Sequence, residues 1–143
     1  MRTRTFTLYA AATRAQVWTA LTDPECTQSF YLGLAVDAEW RDDGPIAYRV
    51  PGGGPEWAEL RGHIVHVEPG RRLVHSLDEA TVWGEAPGAW VSWGIDEMSP
   101  GLCRITLTSD DLEADAADDR DEAWSRVLSG LKTVLETGRA LQR

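Results

Sequence analysis

Asp118–Gln142, DDRDEAWSRVLSGLKTVLETGRALQ, is the stretch that decides the architecture. Trp124, Val127, Leu128, Leu131, Val134, Leu135 and Leu141 recur at spacings of three and four, which stacks them on one helical face. Asp118, Asp119, Asp121 and Glu122 crowd the start, while Lys132, Arg139 and Arg143 lie toward the end, as a helix dipole favours. Glu122 and Arg126 form a well-oriented i,i+4 pair. Such a helix would run about 35 Å at the usual rise per residue. A stripe of that length needs a broad apolar surface to lie on, and the rest of the chain must supply it.

Upstream, the period of the apolar residues changes along the chain. Thr3–Ala10 alternates strictly, with Phe6, Leu8 and Ala10 on one side, and reads as a half-buried strand. Thr13 followed by Gln16 is a capping box for a helix carrying Val17, Trp18 and Leu21, which Asp23-Pro24 ends. A second short helix is expected from Glu25 to about Tyr31, closed by Gly33. From there to residue 110 the period is two. Leu34, Val36, Ala38 and Trp40 alternate, then Ile46, Tyr48 and Val50 after a turn at Asp42-Asp43-Gly44. Trp57–Val67, Leu73–Leu77, Ala89–Met98 and Leu102–Asp110 follow as further strands, separated by the Pro51–Pro55 loop, Pro69-Gly70 and Ser99-Pro100-Gly101. Residues 79–88 carry no clear pattern. Strands joined by hairpins imply an antiparallel sheet with one face on the core, and the terminal helix is the element wide enough to cover it. The expected class is α+β: a curved antiparallel sheet of about seven strands around a long C-terminal helix, with two short helices after the first strand.

Composition bounds the function. With 143 residues the chain is expected to form a single domain, 1–143, large enough for a real core. No apolar run approaches a membrane span, and the N-terminus lacks the apolar segment of a signal peptide. Cys26 and Cys103 lie far apart and read as free thiols, so the cytoplasm is the expected compartment. The net charge of −9 is concentrated in residues 110–122, whose eight acids and one base leave only −2 for the rest. With no basic stripe elsewhere, nucleic acid is not an expected partner. The acidic stretch lacks the spacing of an EF-hand loop and reads as a solvated segment leading into the helix.

The order of elements resembles the helix-grip fold of the START/SRPBCC superfamily. Val17-Trp18-Thr19-Ala20-Leu21-Thr22-Asp23-Pro24-Glu25 is similar to the N-terminal signature of the branch called activator of heat-shock protein 90 ATPase homologue. Asp37-Ala38-Glu39-Trp40, Gly62–Pro69, Arg72-Leu73, Arg104–Thr108 and the Trp124 to Glu136 helix follow in that family's order, so the resemblance covers essentially the whole chain. Two places depart from it. Ser29-Phe30-Tyr31-Leu32 stands where members often carry tryptophans, and Asp43-Gly44-Pro45 where they often carry a glycine pair. The co-chaperone that names the branch has a further N-terminal domain, whereas this chain begins directly at its first strand. The name is therefore expected to transfer poorly as a function.

Seven tryptophans are many for this length. Trp18 and Trp124 fall on helical stripes and read as packing, while Trp40, Trp57, Trp83, Trp90 and Trp93 fall on strands or loops near the expected interior. Together with Phe30, Tyr31 and Tyr48 they exceed what a core of this size needs, which points to an apolar pocket. The candidate lining is Phe30, Tyr31, Trp40, Tyr48, Trp57, His63, Val65, His75, Trp93, Leu128 and Leu131. His63 and His66 lie on opposite faces of one strand, and His75 shares a face with one or the other according to a one-residue change of register. Two histidines without a third ligand make a poor zinc site. No catalytic residue, metal ligand or cofactor is assigned. The first expectation is a non-enzymatic domain binding a small hydrophobic or aromatic ligand between sheet and helix. The alternatives are a polyketide cyclase-like enzyme using His63, Glu59 or Tyr48 as acid/base, and a co-chaperone-like module with a protein partner. The oligomeric state is left open.

Overall fold

The computed structural model describes residues 2–52, 58–77, 79–80, 89–111 and 117–139. In chain order these form β1 (Arg2–Ala10), α1 (Arg14–Thr22), α2 (Pro24–Phe30), β2 (Ala35–Ala38), β3 (Pro45–Arg49), β4 (Ala58–Glu68), β5 (Arg72–Leu77), β6 (Glu79–Ala80), β7 (Ala89–Ser99), β8 (Leu102–Asp111) and α3 (Ala117–Thr137). Seven strands make one open antiparallel sheet in the order β1-β8-β7-β5-β4-β3-β2, and the two-residue β6 adds to β4. No helix among the described residues is long and apolar enough to cross a membrane.

Local chemistry sets the helix ends. Thr13 Oγ1 accepts from the Gln16 backbone N–H at 3.1 Å while Gln16 Oε1 accepts from the Thr13 N–H at 2.8 Å, so the capping box is complete. Asp23 serves two helices. Its N–H donates to Thr19 O at the end of α1, and its carboxylate accepts from the N–H groups of Glu25 and Cys26 at the start of α2. Pro24 then occupies the first turn of α2 at no hydrogen-bonding cost. The terminal helix is shorter than its apolar stripe suggests. Gly138 adopts φ +73°, and its N–H returns to Val134 O at 2.8 Å, closing α3 at Thr137. Leu141 lies outside the described residues.

One face of the sheet meets α3. Val36, Ile46, Tyr48, Leu60, Ile64, Leu73, Leu77, Val91, Trp93, Ile95, Cys103, Ile105 and Leu107 are buried there against Trp124, Val127, Leu128 and Leu131 of the helix. The register of β4 slips between Ile64 and His66, which brings Val67 opposite Leu73 on the covered face and leaves Val65 half-buried at the irregularity. Close to that slip β4 and β5 approach tightly. A Cβ on Gly62 would stand 1.9 Å from the Ser76 carbonyl oxygen, so only glycine fits.

Candidate functional site

Five side chains with polar atoms, from five different elements, converge between the sheet and α3. Tyr48 alternates with Ile46 along β3 and therefore points inward, opposite Val36 and Leu60. His75 stands opposite Val91 on β5 and is fully buried, so the register left open in the sequence resolves toward the helix. Trp93 stands between Leu73 and Leu107. Trp124 comes from α3, and Tyr31 is the residue that caps α2.

Their rings form one cluster. Tyr31 stacks on Tyr48 with centroids 4.2 Å apart and planes 12° from parallel. The edge of Trp124 meets Tyr31 at 6.0 Å and 89°, and Trp93 meets Trp124 at 6.5 Å and 79°. His75 lies 5.8 Å from Tyr48, and Phe30 6.1 Å from Tyr31. These are separations at which aromatic pairs attract beyond simple burial.

Polar atoms lie inside this cluster. His75 Nδ1 donates to the Ser76 carbonyl at 2.9 Å; since a carbonyl only accepts, the neutral ring carries its proton there and Nε2 is an acceptor. The Tyr31 hydroxyl is buried, with the Tyr48 hydroxyl beside it. Burial pushes the Tyr31 phenol well above its ordinary range, and the neighbouring Tyr48 adds to the effect. Burial also raises Tyr48, with the Tyr31 hydroxyl pulling back slightly. Both phenols are held in the protonated form.

The remaining candidates divide by position. Phe30, Leu128 and Leu131 are buried beside the cluster. Phe30 reaches its place because α3 has a glycine opposite it: a Cβ on Gly130 would stand 3.0 Å from Phe30 Cβ. Trp40 is 37% exposed and packs on Trp18 of α1 at 6.5 Å, away from the cluster. Trp57 and Trp83 lie outside the described residues. His63 is exposed on the opposite face of the sheet, where its N–H donates to Ser76 Oγ at 3.0 Å and its Nδ1 lies 2.9 Å from the same oxygen. The alternation that turns Leu60 and Ile64 inward turns Arg61 and His63 outward, so these two do not join Tyr48 beneath the helix. The side chain of Glu59 lies outside the described residues.

Other sites are plain. Among the described residues no group of three or more His, Cys, Asp or Glu side chains is placed to hold a metal ion. Cys26 and Cys103 are free thiols, both raised chiefly by burial and so not activated as nucleophiles. A groove of about 410 Å³ runs between α1, α2 and the end of α3, lined by Gln16, Ala20, Cys26, Val134 and Leu135 among others. Another of about 370 Å³ crosses the outer face at Asp37, Arg49 and Arg61. None of the candidate residues lines either groove.

Sequence reasoning assigned Trp124 to packing only and did not connect it with Tyr31. The signal was its place at the head of the α3 stripe, on a turn that any ring entering from α2 must meet.

A family model described as activator of Hsp90 ATPase homolog 1-like protein matches residues 11–136. Among solved structures, a protein from Staphylococcus saprophyticus is similar at 23% identity and TM-score 0.73, covering 99% of this chain and 96% of that one. An Aha1 dimer from Colwellia psychrerythraea is similar at 17% identity and TM-score 0.74, covering 98% and 100%. An HSP90 activator from Plasmodium falciparum is similar at 12% identity and TM-score 0.75, covering 94% and 96%. At these identities the likeness is one of fold. No curated protein matches the chain.

Proposed function

Starting from a chain that belongs to the activator of Hsp90 ATPase homolog 1-like family, we propose that it binds a small hydrophobic or aromatic molecule between its sheet and α3. The observation that carries this reading is the convergence of Tyr31, Tyr48, His75, Trp93 and Trp124, a buried aromatic surface between sheet and α3 that also carries hydroxyl and ring-nitrogen groups. A few placed polar groups within an aromatic lining are what a small-molecule site requires. The surrounding rings provide the apolar contact, and the protonated phenols orient the guest without charge.

Thermal melts and tryptophan emission test the reading together, because Trp93 and Trp124 stand in the cluster. A ligand at about one hundred times its Kd adds about 2.7 kcal/mol, which raises Tm by about 5–10 °C for a domain of this size. A broad set of aromatic compounds and lipids that moves neither Tm nor emission would overturn it.

A second reading has its own observation. The register brings Tyr9, Met98 and Leu102, which are 51%, 51% and 38% exposed, to one end of the β1–β8–β7 sheet around the hairpin turn. Exposed apolar residues grouped at one edge suit a protein partner. This co-chaperone-like reading predicts that the chain changes a chaperone's ATPase rate and that Met98→Asp or Leu102→Asp abolishes the change.

A further inference from the structure

The face of the sheet turned away from α3 carries a further depression, of about 190 Å³. Five described residues line it: Arg72, Val74, Trp90, Ser92 and Thr108. The register lays Val74, Ser92 and Thr108 side by side across β5, β7 and β8 as a floor, with Trp90 at one end and Arg72 at the other. Trp90 is 45% exposed and offers its indole to the depression. Gly94 stands opposite Arg72. Its φ is not left-handed, and an added Cβ would meet nothing nearer than the Thr106 carbonyl oxygen at 3.9 Å. The register also runs unbroken through it, so neither conformation, packing nor a bulge demands glycine there. A strand glycine of this kind marks close approach by a ligand.

We propose that this depression, separate from the interior site, binds a uronic acid: a six-membered sugar ring bearing a carboxylate. The C–H face of the ring lies on the Trp90 indole, and its hydroxyls meet those of Ser92 and Thr108, which both donate and accept. The carboxylate pairs with the Arg72 guanidinium in the space that Gly94 leaves open. Arg72 is the one charged group of the described lining, so the guest is an anion although the chain as a whole stands at −9. Acids near Arg72 are engaged: Glu68, opposite it, bonds His66 at 2.9 Å, and Asp96 pairs with Arg104 at 3.2 Å. Asp110 stands opposite Trp90 in the register, which sets the carboxylate at the Arg72 end and the uncharged ring face at the other. An aromatic acid would stack as well, but it would leave the hydroxyls of Ser92 and Thr108 unmet. The volume suits a single ring.

The probe is sodium glucuronate, titrated into isotope-labelled protein while NMR follows the indole N–H of Trp90 and the amides of Ser92 and Thr108. Glucose serves as the control for the carboxylate and benzoate as the control for the hydroxyls. Glucuronate should shift all three signals with a Kd of about 1 mM, the affinity open to a molecule of that size. Glucose and benzoate should each bind about fivefold more weakly. Trp90→Ala should weaken glucuronate at least about tenfold, and Arg72→Gln should bring it to the level of glucose. Gly94→Val fills the space beside Arg72 and leaves every named contact group in place. It should hold or raise Tm, because a β-branched residue suits a strand, while weakening glucuronate at least about fivefold. No shift of the three signals at about ten times the expected Kd overturns the site. Benzoate binding as tightly as glucuronate overturns the sugar, and glucose binding as tightly overturns the acid. Unchanged affinity in Gly94→Val overturns the placing of the carboxylate. The interior reading stands or falls separately, since its tryptophans lie on the other face of the sheet.

Discussion

Gly62→Ala tests whether the tight crossing of β4 and β5 is required for the fold. The added Cβ would meet the Ser76 carbonyl oxygen at 1.9 Å, its carbonyl carbon at 2.7 Å and its Oγ at 2.9 Å. Ordinary contact begins near 3.4 Å, so the strands must part by about 1.5 Å. Two of the three atoms are backbone, and no rotamer relieves them. Parting the strands also draws Ser76 Oγ away from the N–H and the Nδ1 of His63, now at 3.0 and 2.9 Å. Overpacking costs about 1–3 kcal/mol, and each lost hydrogen bond about 1 kcal/mol. The total is about 3–5 kcal/mol. At about 3 °C per kcal/mol for a chain of this length, Tm should fall by about 9–15 °C. Circular-dichroism melts measure it, and urea titration should show a lower midpoint with an unchanged slope. A fall of less than about 3 °C would refute the argument, because it would mean that the two strands separate without penalty.

Three further outcomes are expected. Tyr31→Phe keeps the stacked ring and removes the buried hydroxyl beside that of Tyr48, so stability should change by no more than about 1.5 kcal/mol; a larger loss in urea titration would mean that the pair of hydroxyls holds the cluster together. Gly130→Ala should gain about 1 kcal/mol in helix propensity yet lose more to Phe30, whose Cβ and Cα stand 3.0 and 3.3 Å from the new methyl. In a Phe30→Gly background, which removes the Cβ that stands at 3.0 Å, the penalty should shrink, and a double-mutant cycle reads the difference. The third concerns alkali. Tyr31 and Tyr48 are raised above the free phenol value of 10.0, so the stability they contribute is complete below that pH and is lost as pH rises toward their folded values. Urea midpoints should therefore decline above pH 10 with phenolate absorbance appearing together with unfolding, and the decline should be shallower in Tyr31→Phe.

What could be read in advance followed local rules. The Thr13–Gln16 capping box, the break at Asp23-Pro24 and the alternation of Val91, Trp93 and Ile95 depend on near neighbours, and each is found as expected. The sheet wrapped on a terminal helix followed from the change of period along the chain. Features set by distant contacts were not legible. The inward turn of His75 depends on the register slip between Ile64 and His66, which no residue announces. Gly130 lies against Phe30 of α2, a neighbour that the stripe of α3 does not announce. Gly138, by contrast, is a local stop: it ends α3 although the apolar stripe continues to Leu141, because a left-handed glycine outweighs one further apolar residue. In the candidate site the aromatic residue types were visible, but the contact of Tyr31 with Tyr48 joins a helix cap to a strand across a loop. Trp40, grouped with the lining by its strand, turns instead toward Trp18.

The pairing of β1 with β8 governs how the chain must be made. Every residue of β1 finds its partner in residues 103–111, from Ala10 opposite Cys103 to Arg2 opposite Asp111. During synthesis at about 5–20 residues per second, β1 waits roughly 5–20 s before that partner exists. Throughout the wait Phe6, Leu8 and Tyr9 belong to a strand-forming segment with nothing to pair against, which is the condition under which nascent chains associate with one another. Arg2 and Arg4, spaced along the same segment, supply the charge that discourages such association. Replacing both with uncharged residues should lower the soluble yield of the newly made chain.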